Sequence, residues 1–191
     1  MTGRVGIIGH PVAHSLSPVF QGAAFAICGL DVHYEAWDTP PGRLPERIAS
    51  LRTPGCLGAN VTIPHKEAVI PLLDELGGLS ARVGAVNTIV NREGRLFGFN
   101  TDGPGFVAAL KNEAAFDPAG KDILLLGAGG AARGISFALG EALCRSVTLW
   151  NRSPDRAHRL LAELTAAGVH AEWQGSPDPW GFDCIVNCTS V

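Results

Sequence analysis

Apolar, strand-like runs alternate with helix-like segments along nearly all of the 191 residues of this chain. Up to residue 100 the pattern predicts strands at 4–9, 32–37, 56–62, 84–90 and 95–100, and helices at 17–29, 44–52 and 65–76. Farther on it predicts helices at 103–115, 130–143 and 153–167, which alternate with strands at 122–127, 146–150, 169–173 and 182–190. The tight "NREG" turn joins two of the early strands in a predicted hairpin. This alternation indicates an α/β fold with mainly parallel sheets, divided near 101–103 into domains 1–102 and 103–191.

Composition excludes several classes of function. Hydrophobic residues make up 46% of the chain and charged residues 17%, which suffices for a packed core and argues against disorder. The formal net charge is -3 and no basic run is present, so binding to nucleic acid or to an acidic membrane surface has no electrostatic support. The first apolar run is too short for a signal peptide, and no later run is long enough to cross a bilayer. We therefore expect a cytoplasmic protein.

The cysteine pattern favours a reducing compartment. The five cysteines are odd in number, and no second thiol or histidine pair completes a zinc pattern. They are Cys28, Cys56, Cys144, Cys184 and Cys188. We predict that all five serve as small buried hydrophobic residues and that the chain holds no metal.

A glycine-rich turn follows the apolar strand "DILLLG". The residues fit the pattern G-x-G-x-x-A, in which glycines allow a tight turn and let backbone N–H groups approach a pyrophosphate at a helix N-terminus. The predicted cofactor-binding residues of this turn are Gly127, Ala128, Gly129, Gly130 and Ala131. An ordinary strand-to-helix turn is the alternative for this motif taken alone.

The tip of the next strand, "NRSPDR", indicates which dinucleotide would bind. A cofactor with a free ribose 2′-hydroxyl favours an acidic residue at this position. Here Asn151, Arg152, Ser153 and Arg156 offer guanidinium, amide and hydroxyl groups, which suit a 2′-phosphate. Ser153 could also cap the following helix, and that role can coexist with phosphate binding. The tip therefore favours NADP(H) over NAD.

Four further polar clusters stand at the predicted ends of elements: "HSLSP", "NVTIPHK", "GAVNT" and "GFNTDG". Ser15 and Ser17 would face the same way in an extended segment, unless Ser17 only caps the next helix. Lys66 would begin the predicted helix 65–76, where a cation is disfavoured by the helix dipole. Any one cluster could bond only to backbone, but together they offer groups that bind hydroxyls and a carboxylate.

The chain resembles the NADP-dependent shikimate dehydrogenase family. The resemblance is carried by these four clusters and by "GAGGAARG", "NRS" and "NCTS", which occur in the order and at about the spacing found in that family. The resemblance covers the whole chain. It implies reversible reduction of 3-dehydroshikimate to shikimate in chorismate and aromatic amino-acid biosynthesis. It also implies a substrate-binding domain followed by a doubly wound, Rossmann-like NADP-binding domain.

The resemblance also implies roles for particular residues. Ser15 and Ser17 would hold the substrate carboxylate, and Thr62, Asn87 and Asp102 would bind ring hydroxyls. Lys66 would be the catalytic acid/base residue, working with Asp102. Gly127 to Ala131 would hold the pyrophosphate and Asn151 to Arg156 the 2′-phosphate. Thr189 and Ser190 would belong to a loop near the cofactor.

The chain departs from the family pattern at its end. Family members usually continue well beyond the fourth strand of the nucleotide sheet, whereas this sequence stops at Val191. We expect a sheet in the order 3-2-1-4, with an adenosine site and an incomplete site for hydride transfer. Two alternatives remain open, namely a non-catalytic shikimate-binding truncated homologue and a quinate/shikimate dehydrogenase relative using NAD. The expected partner is a small-molecule substrate. We expect the chain to be a monomer or a homodimer, and a homodimer would pair through the exposed edge of the sheet.

Overall fold

The structure, a computed structural model, describes residues 2–189. The chain divides into two compact units, residues 1–100 and 101–191. Among the described residues no helix has the length and apolarity needed to cross a membrane.

The first unit is built on a mixed six-stranded sheet. Its strands are β1 (Gly3–Gly9), β2 (Val32–Asp38), β3 (Cys56–Val61), β4 (Glu75–Leu76), β5 (Thr88–Arg92) and β6 (Arg95–Phe99). They lie in the order β2-β1-β3-β5-β6-β4. β1 pairs in parallel with β2 and β3, whereas β5 pairs antiparallel with β3 and β6. The β5–β6 pair is the predicted hairpin, and its turn uses positive φ angles at Glu93 and Gly94.

Three helices accompany this sheet: α1 (Ser17–Ile27), α2 (Leu44–Ser50) and α3 (Ser80–Val83). The core combines β-sheet residues such as Ile8 and Ile89 with Ile48 and Leu51 from α2 and the turn that follows it. Leu44 and Ile48 are four residues apart, so one face of this short helix is buried against the sheet. Burial of that face outweighs the marginal stability of a seven-residue helix in water.

The second unit is a parallel α/β layer structure. Its strands are β7 (Asp122–Leu126), β8 (Ser146–Trp150), β9 (Ala171–Trp173) and β10 (Cys184–Asn187), and its helices are α4 (Asp102–Asn112), α5 (Gly130–Glu141) and α6 (Pro154–Ala166). The sheet order is β10-β7-β8-β9, which confirms the predicted order 3-2-1-4. Ile123, Leu124 and Leu125 are all buried, as expected for a central parallel strand covered on both faces.

The predicted helix at 65–76 is wrong. This segment contains a single 3₁₀ turn, Ile70–Leu72, followed by the short strand β4. Pro71 has no N–H to donate inside a helix. The Asp74 carboxylate accepts the N–H of Leu96 at 2.7 Å and contacts Arg52 at 2.5 Å, which ties the chain beside β6. Lys66 therefore does not begin a helix, and its charge is not disfavoured by a helix dipole there.

Three smaller expectations also need correction. Leu16, not Ser17, occupies the N-cap position of α1. Asn87 precedes β5 instead of lying inside it. Of the five cysteines, Cys56 is buried and Cys28 is exposed, so burial does not explain the Cys28 thiol.

Candidate functional site

The two serines of "HSLSP" are hydrogen-bonded neighbours. The Ser15 hydroxyl donates to the Ser17 hydroxyl at 3.1 Å and accepts the Ser17 N–H at 3.2 Å. The segment is a turn and not the extended strand of the prediction, since the Ser15 N–H also donates to the Val12 carbonyl at 3.0 Å. Ser15, which lies before the helix, thus satisfies one of the unpaired N–H groups at the start of α1. Both hydroxyls are half-buried and face the same region.

A tyrosine joins this serine pair to the next polar cluster. The Tyr34 hydroxyl donates to the Asn60 side-chain oxygen at 2.7 Å. Burial raises the pKa of Tyr34 to about 12, while the neighbouring Ser17 side chain acts in the opposite direction. The Tyr34 hydroxyl therefore lies between Ser17 and Asn60 and remains a donor at neutral pH.

Asn60 carries the network onward to the "GAVNT" cluster. Its amide nitrogen lies 3.4 Å from both the Asn87 carbonyl and the Thr88 hydroxyl. Thr88 in turn donates to the Asn87 side-chain oxygen at 3.0 Å. The structure thus brings Ser15, Ser17 and Asn87 into one chain of polar groups.

The segment that carries Thr62 and Lys66 packs against the end of β1. A Cβ atom on Gly9 would lie 2.5 Å from the Thr62 methyl group, so this close approach requires glycine. The Thr62 N–H donates to the Ile8 carbonyl at 2.8 Å, and the Lys66 carbonyl accepts the Val86 N–H at 2.8 Å. Thr62 and Lys66 are both half-buried.

The remaining predicted substrate residue, Asp102, belongs to the second unit. It is the first residue of α4, where a carboxylate is favoured by the helix dipole. Within the first unit, Asn100 of the same motif is buried and donates to the Ala85 carbonyl at 3.1 Å.

Sequence reasoning missed Tyr34 and gave Asn60 only a general role, as a polar contact in "NVTIPHK". Tyr34 is the chain's single tyrosine and lies on a strand-like segment. Its hydroxyl partner is 26 positions away in sequence. A half-buried tyrosine needs a partner for its hydroxyl, which is the one signal that could have pointed to it.

The glycine-rich turn of the second unit lies between the ends of two neighbouring strands. Gly127 has φ +118, and a Cβ atom there would lie 3.1 Å from the backbone carbonyl group of Cys188. Its N–H donates to the Trp150 carbonyl at 2.7 Å, and the Cys188 N–H donates to the Leu126 carbonyl at 2.8 Å. The carboxyl ends of β7, β8 and β10 therefore meet here, at the point where the strand order reverses.

The start of α5 is open on the side where an anion would approach. A Cβ atom on Gly129 would meet no atom within 4 Å, and Gly129 and Ala131 are exposed. Gly130 begins a helix of 12 residues, whose first N–H groups point out of its N-terminus. A turn in which glycine is required at Gly127, next to an open helix start, fits the diphosphate of a dinucleotide.

The residues predicted to bind the 2′-phosphate follow the end of β8. Asn151 donates from its side chain to the Ser153 carbonyl at 2.8 Å, and Ser153 occupies the N-cap position of α6 without a side-chain cap bond. Arg152 and Arg156 are exposed. Two exposed guanidinium groups beside a helix start form an electropositive surface suited to a phosphate.

Thr189 lies just beyond β10, next to Cys188. Its N–H and its hydroxyl both donate to the Asn187 side-chain oxygen, at 2.9 and 2.6 Å. The segment is therefore turned back on itself beside the Gly127 turn. Ser190, which the family resemblance pairs with Thr189, lies outside the described residues.

The opposite, amino-terminal edge of this sheet is held by ion pairs. Asp122 accepts hydrogen bonds from Arg145 and from the Ser146 hydroxyl, and these lower its pKa to about 2, well below the usual range. Asp183 accepts the Asp122 N–H at 2.9 Å. This cluster lies at the starts of β7, β8 and β10, away from the glycine-rich turn.

Comparison with known proteins gives the same family for sequence and structure. Residues 7–89 match the family model described as shikimate dehydrogenase substrate binding domain. A relative from Moorella thermoacetica named shikimate dehydrogenase (NADP(+)) is 54% identical over 170 residues, covering 89% of this chain and 57% of the relative. A relative of the same name from Symbiobacterium thermophilum is 52% identical over 199 residues, covering 99% of this chain and 67% of the relative.

A solved structure agrees with these relatives. Shikimate 5-dehydrogenase from Thermus thermophilus, in complex with NADP(H) and shikimate, has a TM-score of 0.87 and 45% sequence identity. The match covers 98% of this chain and 68% of that one. The chain thus spans 57% of the Moorella relative and about two thirds of the other two proteins. Because it is 45–54% identical to these three proteins over 89–99% of its own length, the chain belongs to the shikimate dehydrogenase family.

Proposed function

We propose that this chain binds shikimate and 3-dehydroshikimate and interconverts them in an NADP-dependent oxidoreductase reaction. The observation that supports this most directly is the series of polar groups that runs from Ser15 and Ser17 past Tyr34 and Asn60 to Asn87. It lies entirely within residues 7–89, the region that matches the family's substrate-binding domain. A half-buried series of hydroxyl and amide groups is suited to a small ligand with several hydroxyls and one carboxylate.

We assign the two ends of this series to different parts of the substrate. The hydroxyls of Ser15 and Ser17 can both donate to a carboxylate, and charge-assisted bonds of this kind are stronger than neutral ones. Thr62 and Asn87 offer a hydroxyl and an amide for ring hydroxyls. Asp102 would accept from a ring hydroxyl, a role that rests on the family resemblance alone.

Lys66 is the proposed acid/base residue. NADPH, when bound, supplies the hydride that reduces the ketone carbon. The Lys66 ammonium donates its proton to the ketone oxygen as the C=O bond becomes C–OH, and in the reverse direction the neutral amine accepts that proton. General acid catalysis of this kind accelerates a reaction by roughly 10²–10⁴-fold. The positive charge beside the oxygen also stabilises negative charge that develops there.

The second unit would hold the dinucleotide. The open start of α5 and the Gly127 turn fit its diphosphate, and Ala128, Gly129, Gly130 and Ala131 complete that turn. Arg152 and Arg156, with Asn151 and Ser153, would bind the 2′-phosphate, and Thr189 would lie beside the cofactor. Because β8 is followed by "NRS" and not by an acidic residue, we propose NADP(H) and not NAD as the cofactor.

NADPH oxidation in the presence of 3-dehydroshikimate tests the proposal, with shikimate binding measured by calorimetry on the same sample. The Symbiobacterium relative serves as the positive control, and NADH replaces NADPH in a parallel series. We expect shikimate binding and turnover that is faster with NADPH than with NADH. Shikimate binding without NADPH oxidation would replace the enzyme proposal by a binding role. Loss of both would refute the substrate assignment, and equal rates with NADH would refute the cofactor assignment.

A further inference from the structure

His65 is a buried polar residue for which the proposed reaction has no role. Its side chain is 1% exposed, and its Nε2 atom lies 2.6 Å from the Thr39 carbonyl oxygen. A carbonyl oxygen can only accept a hydrogen bond, so Nε2 carries the hydrogen and donates it. Thr39 is buried as well. If the His65 donor were removed, water could not reach the Thr39 carbonyl, which would be left without a hydrogen bond.

The contacts around His65 show what this hydrogen bond holds. Residues 62–69 form no helix or strand, so their path is defined by turn bonds within the segment and by bonds to other elements. Its start is bonded to the residue that follows β1, since the His10 N–H donates to the Ile63 carbonyl at 3.1 Å. Its end turns back on His65, whose carbonyl accepts the Val69 N–H at 3.0 Å.

Lys66 lies between two anchors in this segment. On one side its carbonyl accepts the Val86 N–H at 2.8 Å. On the other side the His65 ring reaches the end of β2 through the Thr39 carbonyl, and the Thr39 N–H itself donates to the Gly9 carbonyl at 2.9 Å. The backbone of Lys66 is thus held from both directions, by a bond to the residue that follows β2 and by a bond to the residues before β5.

We propose that His65 is a positioning residue that fixes the Lys66 backbone through its hydrogen bond to Thr39. The inference rests on the proposed catalytic role of Lys66. It specifies that the ring must act as a donor at Nε2, and not merely fill space. A proton-transfer group is sensitive to placement, and a misplacement of about 1 Å can reduce turnover about 10²-fold.

Two substitutions separate a donor from a space-filling group. His65→Leu keeps an apolar side chain in the same space but has no donor. His65→Gln can place its amide nitrogen near the position of Nε2 and restores the donor. His33, which is exposed on β2, supplies the matched control with the same two substitutions.

For His65→Leu we expect kcat to fall about 10²-fold while KM for shikimate changes less than about threefold, since the affected group acts in the chemical step. His65→Gln is expected to recover most of the lost kcat, and both His33 variants are expected to match the wild type. Unchanged kcat in His65→Leu, or equal damage in the Gln variant, would overturn the proposal.

Amide hydrogen exchange provides a readout that needs no activity. In His65→Leu we expect the Val69 and Val86 amides to lose protection, and in His65→Gln to regain it, because both amides bond to the anchored segment. If the wild-type chain does not turn over 3-dehydroshikimate, the proposed function fails and exchange alone decides the positioning role. Unchanged protection at both amides in His65→Leu would refute that role.

Discussion

At the scale of single residues, Tyr34 has the position with the clearest consequence for ligand binding. Its hydroxyl lies between Ser17 and Asn60, and its ring centroid is 6.4 Å from that of Phe25 in α1. With a pKa of about 12 the hydroxyl stays protonated across neutral pH. It therefore holds the Asn60 amide in one orientation, with its nitrogen toward Asn87.

We predict that Tyr34→Phe weakens shikimate binding while leaving the ring packing intact. The lost hydrogen bond is worth about 0.5–1.5 kcal/mol, so the dissociation constant should rise roughly two- to twelvefold. Calorimetric titration with shikimate measures this, and NADPH affinity serves as the internal control because Tyr34 lies in the first unit. Unaltered shikimate affinity would show that the tyrosine does not support the ligand site.

Sequence patterns identified both serines and Asn87 as ligand candidates but could not identify Tyr34. A motif collects residues that are close along the chain, whereas the Tyr34–Asn60 bond joins two strands, β2 and β3, that lie on opposite sides of β1. The contact also depends on the rotation of one long side chain. Neither the pairing of distant strands nor a side-chain rotation can be predicted from the local periodicity of the sequence.

At the scale of elements, the turn between β7 and α5 depends on backbone geometry that only glycine adopts readily. We predict that Gly127→Ala reduces NADPH affinity about tenfold or more, because φ +118 in a residue with a side chain costs about 1–3 kcal/mol. The new Cβ atom would also meet the Cys188 carbonyl group at 3.1 Å. NADPH fluorescence titration measures the change, and shikimate affinity should stay constant.

Gly105→Ala is the matched control for that substitution. Gly105 lies in α4, and an added Cβ atom would meet nothing within 4 Å. Alanine there should leave NADPH affinity unchanged and raise helix stability by about 0.5–1 kcal/mol. Equal NADPH affinity in the Gly127 and Gly105 variants would mean that the turn does not contact the cofactor.

The amino-terminal edge of the second sheet predicts a pH dependence of stability. The folded pKa of Asp122 is lowered to about 2 by Arg145 and Ser146, below the ordinary value of about 3.9 for a free aspartate. A lowered folded pKa contributes stability that is complete above about pH 4 and is lost as the pH falls toward 2. We expect Asp122→Asn to be less stable than the wild type at pH 7 and to show a smaller loss between about pH 5 and pH 2.

Urea unfolding at a series of pH values checks this expectation. Asp74, Asp117 and Asp183 also have lowered pKa values, so the variant should retain part of the acid sensitivity. Identical pH profiles for wild type and variant would show that the Asp122 pair contributes no net stability. NADPH affinity at neutral pH should not change, since Asp122 lies at the other end of the strand from Gly127.

Element prediction succeeded where the local pattern and the tertiary contacts agree. The strand Ser146–Trp150 matches its predicted bounds, because three of its five residues are strand formers and its central three are buried. The segment 65–76 failed because its conformation is set by bonds from Asp74 to Arg52 and Leu96. Those partners are 22 positions away in either direction and cannot be read from helical propensity.

At the scale of the whole molecule, strand order was predictable and the placement of the substrate groups was less so. The order β10-β7-β8-β9 follows from the alternation of strands and helices and from the rule that the glycine-rich turn follows the first strand. In the first unit the sheet is mixed because the β5–β6 hairpin pairs antiparallel beside β3. The "NREG" turn predicts that hairpin. The network that joins Ser15 to Asn87 required the three-dimensional arrangement of β1, β2 and β3.

The central claim is that the Lys66 ammonium donates the proton in NADPH-dependent reduction of 3-dehydroshikimate. The most direct test compares turnover and shikimate affinity in the wild type and in Lys66→Ala. We expect Lys66→Ala to lose turnover by about 10²–10⁴-fold with little change in the shikimate dissociation constant. Full turnover in Lys66→Ala would contradict it.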